Sequence, residues 1–243
     1  MPQPIVVIPA RMAAQRLPGK PLADIGGLPM IVRVLRQAEA ADVGPVAVAA
    51  GDPEIVEAVR AHGGRAVLTD PALPSGSDRI RAALPELDPE GRHDLVINLQ
   101  GDMPLVEPET IRALVQLFED QPGLEMGTLV APEASVADRT NPDVVKAILA
   151  LARDARQGRA LYFTRSTLYG EGPIWRHIGL YGYTPQALDV MTTGLPTALE
   201  RREKLEQLRA LELGLEIWAA IVDAAPISVD NPADLEAARA AVG

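Results

Sequence analysis

Four short runs, at residues 5–8, 46–49, 66–68 and 95–98, apolar except for Asn98 at the end of the last, punctuate the first hundred positions. The apolar residues in them are continuous rather than alternating with polar ones, the pattern of strands buried on both faces of a parallel sheet. Between them, about 30–40, 53–61 and 77–84 carry apolar residues at helical spacing and predict helices. Such alternation implies right-handed β-α-β crossovers, a mostly parallel sheet with helices on both faces, and loops gathered on one rim after each strand. A proline-led helix over 108–119 then precedes a strand at 126–130. Beyond it the pattern changes. Segments 144–149, 161–164 and 177–183 read as strands separated by polar or glycine-containing turns, an antiparallel lobe over about 140–185. Residues 197–213 place Leu205, Leu208 and Leu211 at helical spacing and predict a long helix stopped by Gly214. A strand at 217–222 and a helix begun by Pro232 follow. No repeat, low-complexity tract or linker interrupts the chain, so one α/β domain over 1–243 is expected.

Composition narrows the classes of partner. The 243 residues are 47% hydrophobic and 23% charged, with a net charge of −10 and no cysteine. An acidic chain argues against nucleic acid or an anionic membrane as partner. The lack of cysteine excludes a disulfide framework and a thiolate nucleophile and suits a reducing compartment. His62, His93 and His177 are too scattered to suggest a metal cluster. No apolar stretch reaches the ~18 residues a membrane span needs, and the start reads as a strand without a cleavable signal; a cytoplasmic protein is expected.

Against this acidic background the loop after the first strand stands out. Residues 9–22 read Pro-Ala-Arg-Met-Ala-Ala-Gln-Arg-Leu-Pro-Gly-Lys-Pro-Leu, with Arg11, Arg16 and Lys20 in one loop. In open α/β sheets ligands lie outside the carboxyl ends of the strands, where these cations project. The chain has only three lysines, at 20, 146 and 204; a lysine is a compact point charge suited to a phosphate oxygen. Gly19 permits close backbone approach. The loop is no Walker motif, since Pro21 follows Lys20 where Ser or Thr would be needed, and no dinucleotide fingerprint follows the strand. A polyphosphate is the expected ligand. Asp102, after the fourth strand in Gln100-Gly101-Asp102, reaches the same rim; a carboxylate beside bound phosphates makes chemical sense with magnesium between them. Asp230 precedes Asn231-Pro232 and reads either as a second such carboxylate or as a residue of a helix-starting turn. Ser75 and Gly76 open another helix and read equally as a cap or a polar ligand edge. Glu206-Gln207 alone reads as a solvated helix face.

These segments together resemble the 3-deoxy-manno-octulosonate (Kdo) cytidylyltransferases. The resemblance is carried by Pro9-Ala10-Arg11 with residues 16–22, Ser75-Gly76-Ser77-Asp78-Arg79, Gln100-Gly101-Asp102, Asn141-Pro142 with Val145-Lys146, residues 162–165, 177–183, 203–209 and 229–232, in family order. It implies a Rossmann-like nucleotidyltransferase sheet with a smaller dimerisation lobe. It also implies a reaction of CTP with a 2-keto-3-deoxy sugar acid, requiring Mg2+, in a homodimer. Lys20, Arg11, Asp102 and Asp230 are the implied catalytic group, with both carboxylates as metal ligands. Pro9, Ala10, Arg11, Arg16, Lys20, Ser75, Gly76 and Gln100 would bind the nucleotide, and Arg79, Arg165, His177, Tyr181, Glu206 and Gln207 the sugar. Three departures keep the acceptor open. Met103 stands where the family commonly has Glu, Pro74 where it has Gln, and 167–176 is shorter, with Leu168-Tyr169 where Ile-Pro is common. An 8-amino octulosonate, a sialic-acid-like sugar or, from another class, a non-catalytic nucleotide-binding module therefore stand as alternatives.

Overall fold

The computed structural model describes residues 1–13 and 17–242. Strand β1 (Pro4–Ala10), buried at every position, is followed by a small hairpin of β2 (Asp24–Ile25) and β3 (Leu28–Pro29) and then by α1 (Met30–Ala40), β4 (Val46–Ala50), α2 (Pro53–Ala61), β5 (Ala66–Leu68), α3 (Gly76–Leu87) and β6 (Leu95–Leu99). β1 runs parallel to β4, with Val6 opposite Val46, and to β6, with Val6 opposite Ile97. β5 extends the parallel run beyond β4, giving the order β5-β4-β1-β6. The continuous apolar composition of these strands is what lets them be covered on both faces.

Helix α4 (Pro108–Asp120) carries the chain from one compact unit, Met1–Arg112 with Pro226–Gly243, into another, Ala113–Ala225. The second unit contains β7 (Met126–Pro132), β8 (Lys146–Ala150), β9 (Gln157–Thr164), β10 (Trp175–Tyr183), α5 (Pro185–Thr193), α6 (Ala198–Glu203), α7 (Gln207–Glu212) and β11 (Ile217–Ile221). Its strands lie in the order β10-β7-β11-β9-β8. β7 and β11 are parallel, while β10 with β7, β11 with β9 and β8 with β9 are antiparallel. The chain then returns to the first unit as α8 (Pro232–Ala240), where Val229, Leu235 and Ala238 pack with Ile25 and Met30. The result is an α/β fold with mixed pairing. Among the described residues no helix is long and apolar enough to cross a membrane.

The structure corrects two readings of the sequence. Residues 197–213 form two short helices rather than one, because Lys204 takes a left-handed conformation (φ 57°, ψ 45°) between α6 and α7. Glu200 bridges the break by accepting from Arg209 Nε at 2.7 Å and Nη2 at 2.6 Å. Helix α5 is additional: Thr184 caps it, Pro185 supplies a pre-set φ at its first turn, and Ala187, Leu188 and Met191 are buried.

Candidate active site

Because β1 and β6 are parallel neighbours, the loops after Ala10 and Leu99 leave the first unit's sheet at one rim. Gly19, at φ +71°, makes the left-handed turn into a 3₁₀ segment, Lys20–Leu22. That turn delivers the Lys20 side chain between two carboxylates. Lys20 Nζ donates to Asp102 Oδ2 at 2.9 Å and to Asp230 Oδ1 at 3.3 Å. The carboxylate-bearing segments are themselves tied by a 2.8 Å bond from Val229 N–H to the Asp102 carbonyl. Capping of α8 falls to Asn231, whose side chain accepts from Asp234 N–H at 3.0 Å while Asp234 accepts from the Asp230 and Asn231 N–H groups. The cap of α8 is thus made by Asn231, and the Asp230 side chain accepts from Lys20.

Around this cluster opens a cavity of about 840 Å³ in the first unit, lined by Pro9, Ala10, Arg11, Lys20, Ser75, Gly76, Arg79, Gln100, Asp102 and Asp230, with Leu17 and Leu73 among its apolar lining. That volume suits a nucleotide-sized ligand. Arg16 lies outside the described residues. Ser75 caps α3: its Oγ accepts from Asp78 N–H at 3.2 Å and donates to Asp78 Oδ2 at 2.6 Å. Gly76 sits so near β1 that a Cβ would come within 3.1 Å of Pro9 Cγ. Gln100 donates to Asn98 Oδ1 at 3.1 Å. Arg79 is only 2% exposed and donates through Nη1 to Thr69 Oγ1 at 2.6 Å and to the Asp70 carbonyl at 3.1 Å. Burial, and then the Arg11 charge, lower its pKa.

The remaining candidates lie in the second unit. Half-buried Arg165 has both main-chain groups held by charged side chains: Lys146 Nζ donates to its carbonyl at 2.9 Å, and Glu203 Oε2 accepts from its N–H at 3.3 Å. Lys146 is fully buried, also donates to the Asn141 carbonyl at 2.9 Å, and has a pKa lowered by burial and then by Arg165. Arg165 Nη1 itself reaches the Pro142 carbonyl at 3.0 Å. His177 packs edge-on against Phe163 and beside Tyr181. Burial of the ring holds its pKa down to about 3. Burial, then Tyr183 and Glu206, push the Tyr181 phenol upward. Gln207, at the start of α7, is 4% exposed, and its buried Nε2 has no hydrogen-bond partner. A buried amide donor left this way points to a ligand or water acceptor.

A family model described as cytidylyltransferase matches residues 5–217. Proteins named 3-deoxy-manno-octulosonate cytidylyltransferase are similar along nearly the whole chain. The one from Rhodospirillum centenum is 58% identical, covering 98% of this chain and 92% of the relative, and the one from Parvibaculum lavamentivorans is 56% identical with the same coverage. The chain belongs to the 3-deoxy-manno-octulosonate cytidylyltransferase family. A solved structure of CMP:2-keto-3-deoxy-manno-octonic acid synthetase complexed with CTP superposes with a TM-score of 0.90 at 37% identity, covering 99% of this chain and 98% of that one.

Within this cytidylyltransferase the departures from the family pattern have plain structural descriptions. Met103 is 5% exposed and packs into the core. Pro74 is exposed ahead of the α3 cap. The short 167–176 segment is tied back by Arg139, which donates to the Gly170 and Gly172 carbonyls. Sequence reasoning missed Asp52, whose carboxylate accepts from Met12 N–H at 2.7 Å and anchors the residue after Arg11. It also missed Glu203 as a support for Arg165. Asp52 has a signal in hindsight, an acidic residue just before a proline-led helix; Glu203 opens the 203–209 segment of the family resemblance, but nothing there points to Arg165.

Proposed function

We propose that this chain joins CTP to 3-deoxy-D-manno-octulosonate, releasing pyrophosphate and forming the CMP-sugar used in lipopolysaccharide assembly. The anomeric 2-hydroxyl oxygen attacks the α-phosphorus as the bond to the bridging oxygen of pyrophosphate breaks, and the hydroxyl proton passes to solvent water. The observation that carries this reading is the meeting of Lys20, Asp102 and Asp230 in a cavity also lined by Arg11. The names of the relatives favour the octulosonate over a sialic-acid-like or amino-substituted acceptor.

Roles follow from chemistry. Lys20, Arg11 and Arg16 neutralise the phosphates, and the Pro9–Arg11 backbone with Ser75, Gly76 and Gln100 reads the base and ribose. Arg79 and Arg165 are natural partners of the sugar carboxylate; His177, Tyr181, Glu206 and Gln207 read the hydroxyls, a role supported by the orphaned Gln207 donor. Asp102 and Asp230 already converge on one cation, Lys20 Nζ, a donor set that fits Mg2+ completed by phosphate oxygens and water. When bound, the ion stabilises charge on the reacting phosphate. Lys20 then holds the two carboxylates near one point and carries a fixed charge toward the phosphates, while the strand-end loops align the nucleotide. The two units are proposed to work as one nucleotidyltransferase domain, in a cytoplasmic homodimer built through the 140–185 lobe and without nucleic acid as partner.

The test is pyrophosphate release from CTP and Kdo with Mg2+ present. Robust release that requires both substrates and is lost in EDTA is expected. No release with any 2-keto-3-deoxy acid would overturn the reading, and light scattering at micromolar concentration checks the dimer.

A further inference from the structure

We infer that Thr128 is a positioning residue for the sugar acid: its hydroxyl holds His177 as the Nε2–H tautomer, so that Nδ1 faces the ligand as a hydrogen-bond acceptor. The inference rests on the proposed contact between His177 and the acid.

Thr128, on β7, is fully buried. It sits opposite the irregularity in β10, where pairing slips between Ile178 and Tyr181. Three groups converge on its Oγ1: the Leu180 carbonyl at 2.9 Å, the Ile178 carbonyl at 3.2 Å and His177 Nε2 at 3.1 Å. Carbonyl oxygens only accept, and a hydroxyl has one proton to give. That proton goes to the carbonyls, so a hydroxyl lone pair faces Nε2, and Nε2 must carry the ring proton. In a neutral imidazole the other nitrogen is then an acceptor. The ring has little freedom to turn over. Its main-chain N–H is bonded to the Val145 carbonyl at 2.9 Å, Phe163 packs edge-on with centroids 5.0 Å apart, and Tyr181 lies 5.3 Å away. Among the described residues no protein group bonds Nδ1. Neutrality across the working range follows from the low pKa described above. His177 therefore selects for a donor, a ligand O–H, and not for a carboxylate.

Nitrogen-15 NMR of the free protein at pH 7 reads the tautomer without any substrate, with His177→Gln identifying the resonance. Protonation at Nε2 is expected; protonation at Nδ1 overturns the inference. In steady-state kinetics Thr128→Val should raise KM for Kdo about tenfold and KM for CTP by less than about twofold, and Thr128→Ser, which keeps the hydroxyl, should restore the wild-type value. A Thr128→Val enzyme unchanged toward Kdo, or a Ser variant as impaired as Val, overturns the positioning role. Should Val disturb the bulge and prevent folding, the wild-type tautomer and the Ser variant still decide. His177→Ala tests the underlying reading separately: an unchanged KM for Kdo removes His177 from the acid even where the tautomer is as expected.

Discussion

In the first unit Lys20, Asp102 and Asp230 are placed by the main chain, whereas in the second Arg165 and His177 are held by other side chains. Lys20 is set by a left-handed glycine, Asp102 by the end of a parallel strand, and Asp230 by a backbone bond and a neighbouring cap. Arg165 is instead clamped by Lys146 and Glu203, and His177 by Thr128. Placement by backbone survives side-chain substitution nearby. Placement by side chains concentrates it in a few remote residues, each of which becomes a point of failure.

The sharpest way to break this contrast is at the carboxylates. Asp102→Asn and Asp230→Asn should each lower turnover by on the order of 10²-fold or more with the fold intact, as for other single electrostatic contacts to a reacting centre; full activity of either, measured by pyrophosphate release, would remove that residue from the centre. Lys20→Arg should cost about tenfold or more in turnover, since a planar fork cannot occupy the point between two carboxylates. Comparison with Lys20→Ala shows whether charge alone suffices.

In the second unit Arg165→Ala should weaken use of the acid by roughly 1.5–3 kcal/mol with little change toward CTP, and Arg79→Ala in the first unit should weaken use of the acid likewise. Lys146→Met should reproduce part of the Arg165 defect while costing about 1–3 kcal/mol of stability, because two carbonyls lose their donor. Equal kcat/KM for both substrates in Lys146→Met would show that the clamp does not position Arg165.

A gentler probe is acid. His177 titrates near 3 when folded against 6.5 for the free side chain, so between those values the unfolded chain binds the additional proton. Stability is therefore full above about pH 6.5 and falls as pH drops through that window. Urea unfolding at pH 7 and pH 4.5 should show a smaller loss in His177→Phe than in wild type. Smallest is the effect expected of Asp52→Ala, which removes one bond to Met12 N–H and should raise KM for CTP by only a few-fold.

What could be read in advance divides along the same line. The apolar runs announced the strands of the first unit, and the spacing of Gly19, Lys20 and Asp102 around them announced the loops, because local sequence determines that geometry. Asp230 had a capping reading that fell away because Asn231 takes the cap. The break at Lys204 was hidden because nothing about lysine signals a left-handed residue; the helical spacing of Leu205, Leu208 and Leu211 masked it. Helix α5 has only nine residues and a weak apolar face. Thr128 and Glu203 looked like ordinary strand and surface residues, since the groups they hold lie 49 and 38 positions away.

The return of the chain to its first unit has a consequence for synthesis. Lys20 and Asp102 are translated early, but Asp230 lies in the segment that comes home only after the whole second unit has been made. Domains tend to fold as they emerge from the ribosome. A nascent chain can therefore assemble β1, β4, β5 and β6 and their loops while still lacking one of its two carboxylates and the apolar cover provided by Val229 and Leu235. The segment from Pro226 onward therefore completes the site: a chain cut near Pro226 lacks one of the paired carboxylates.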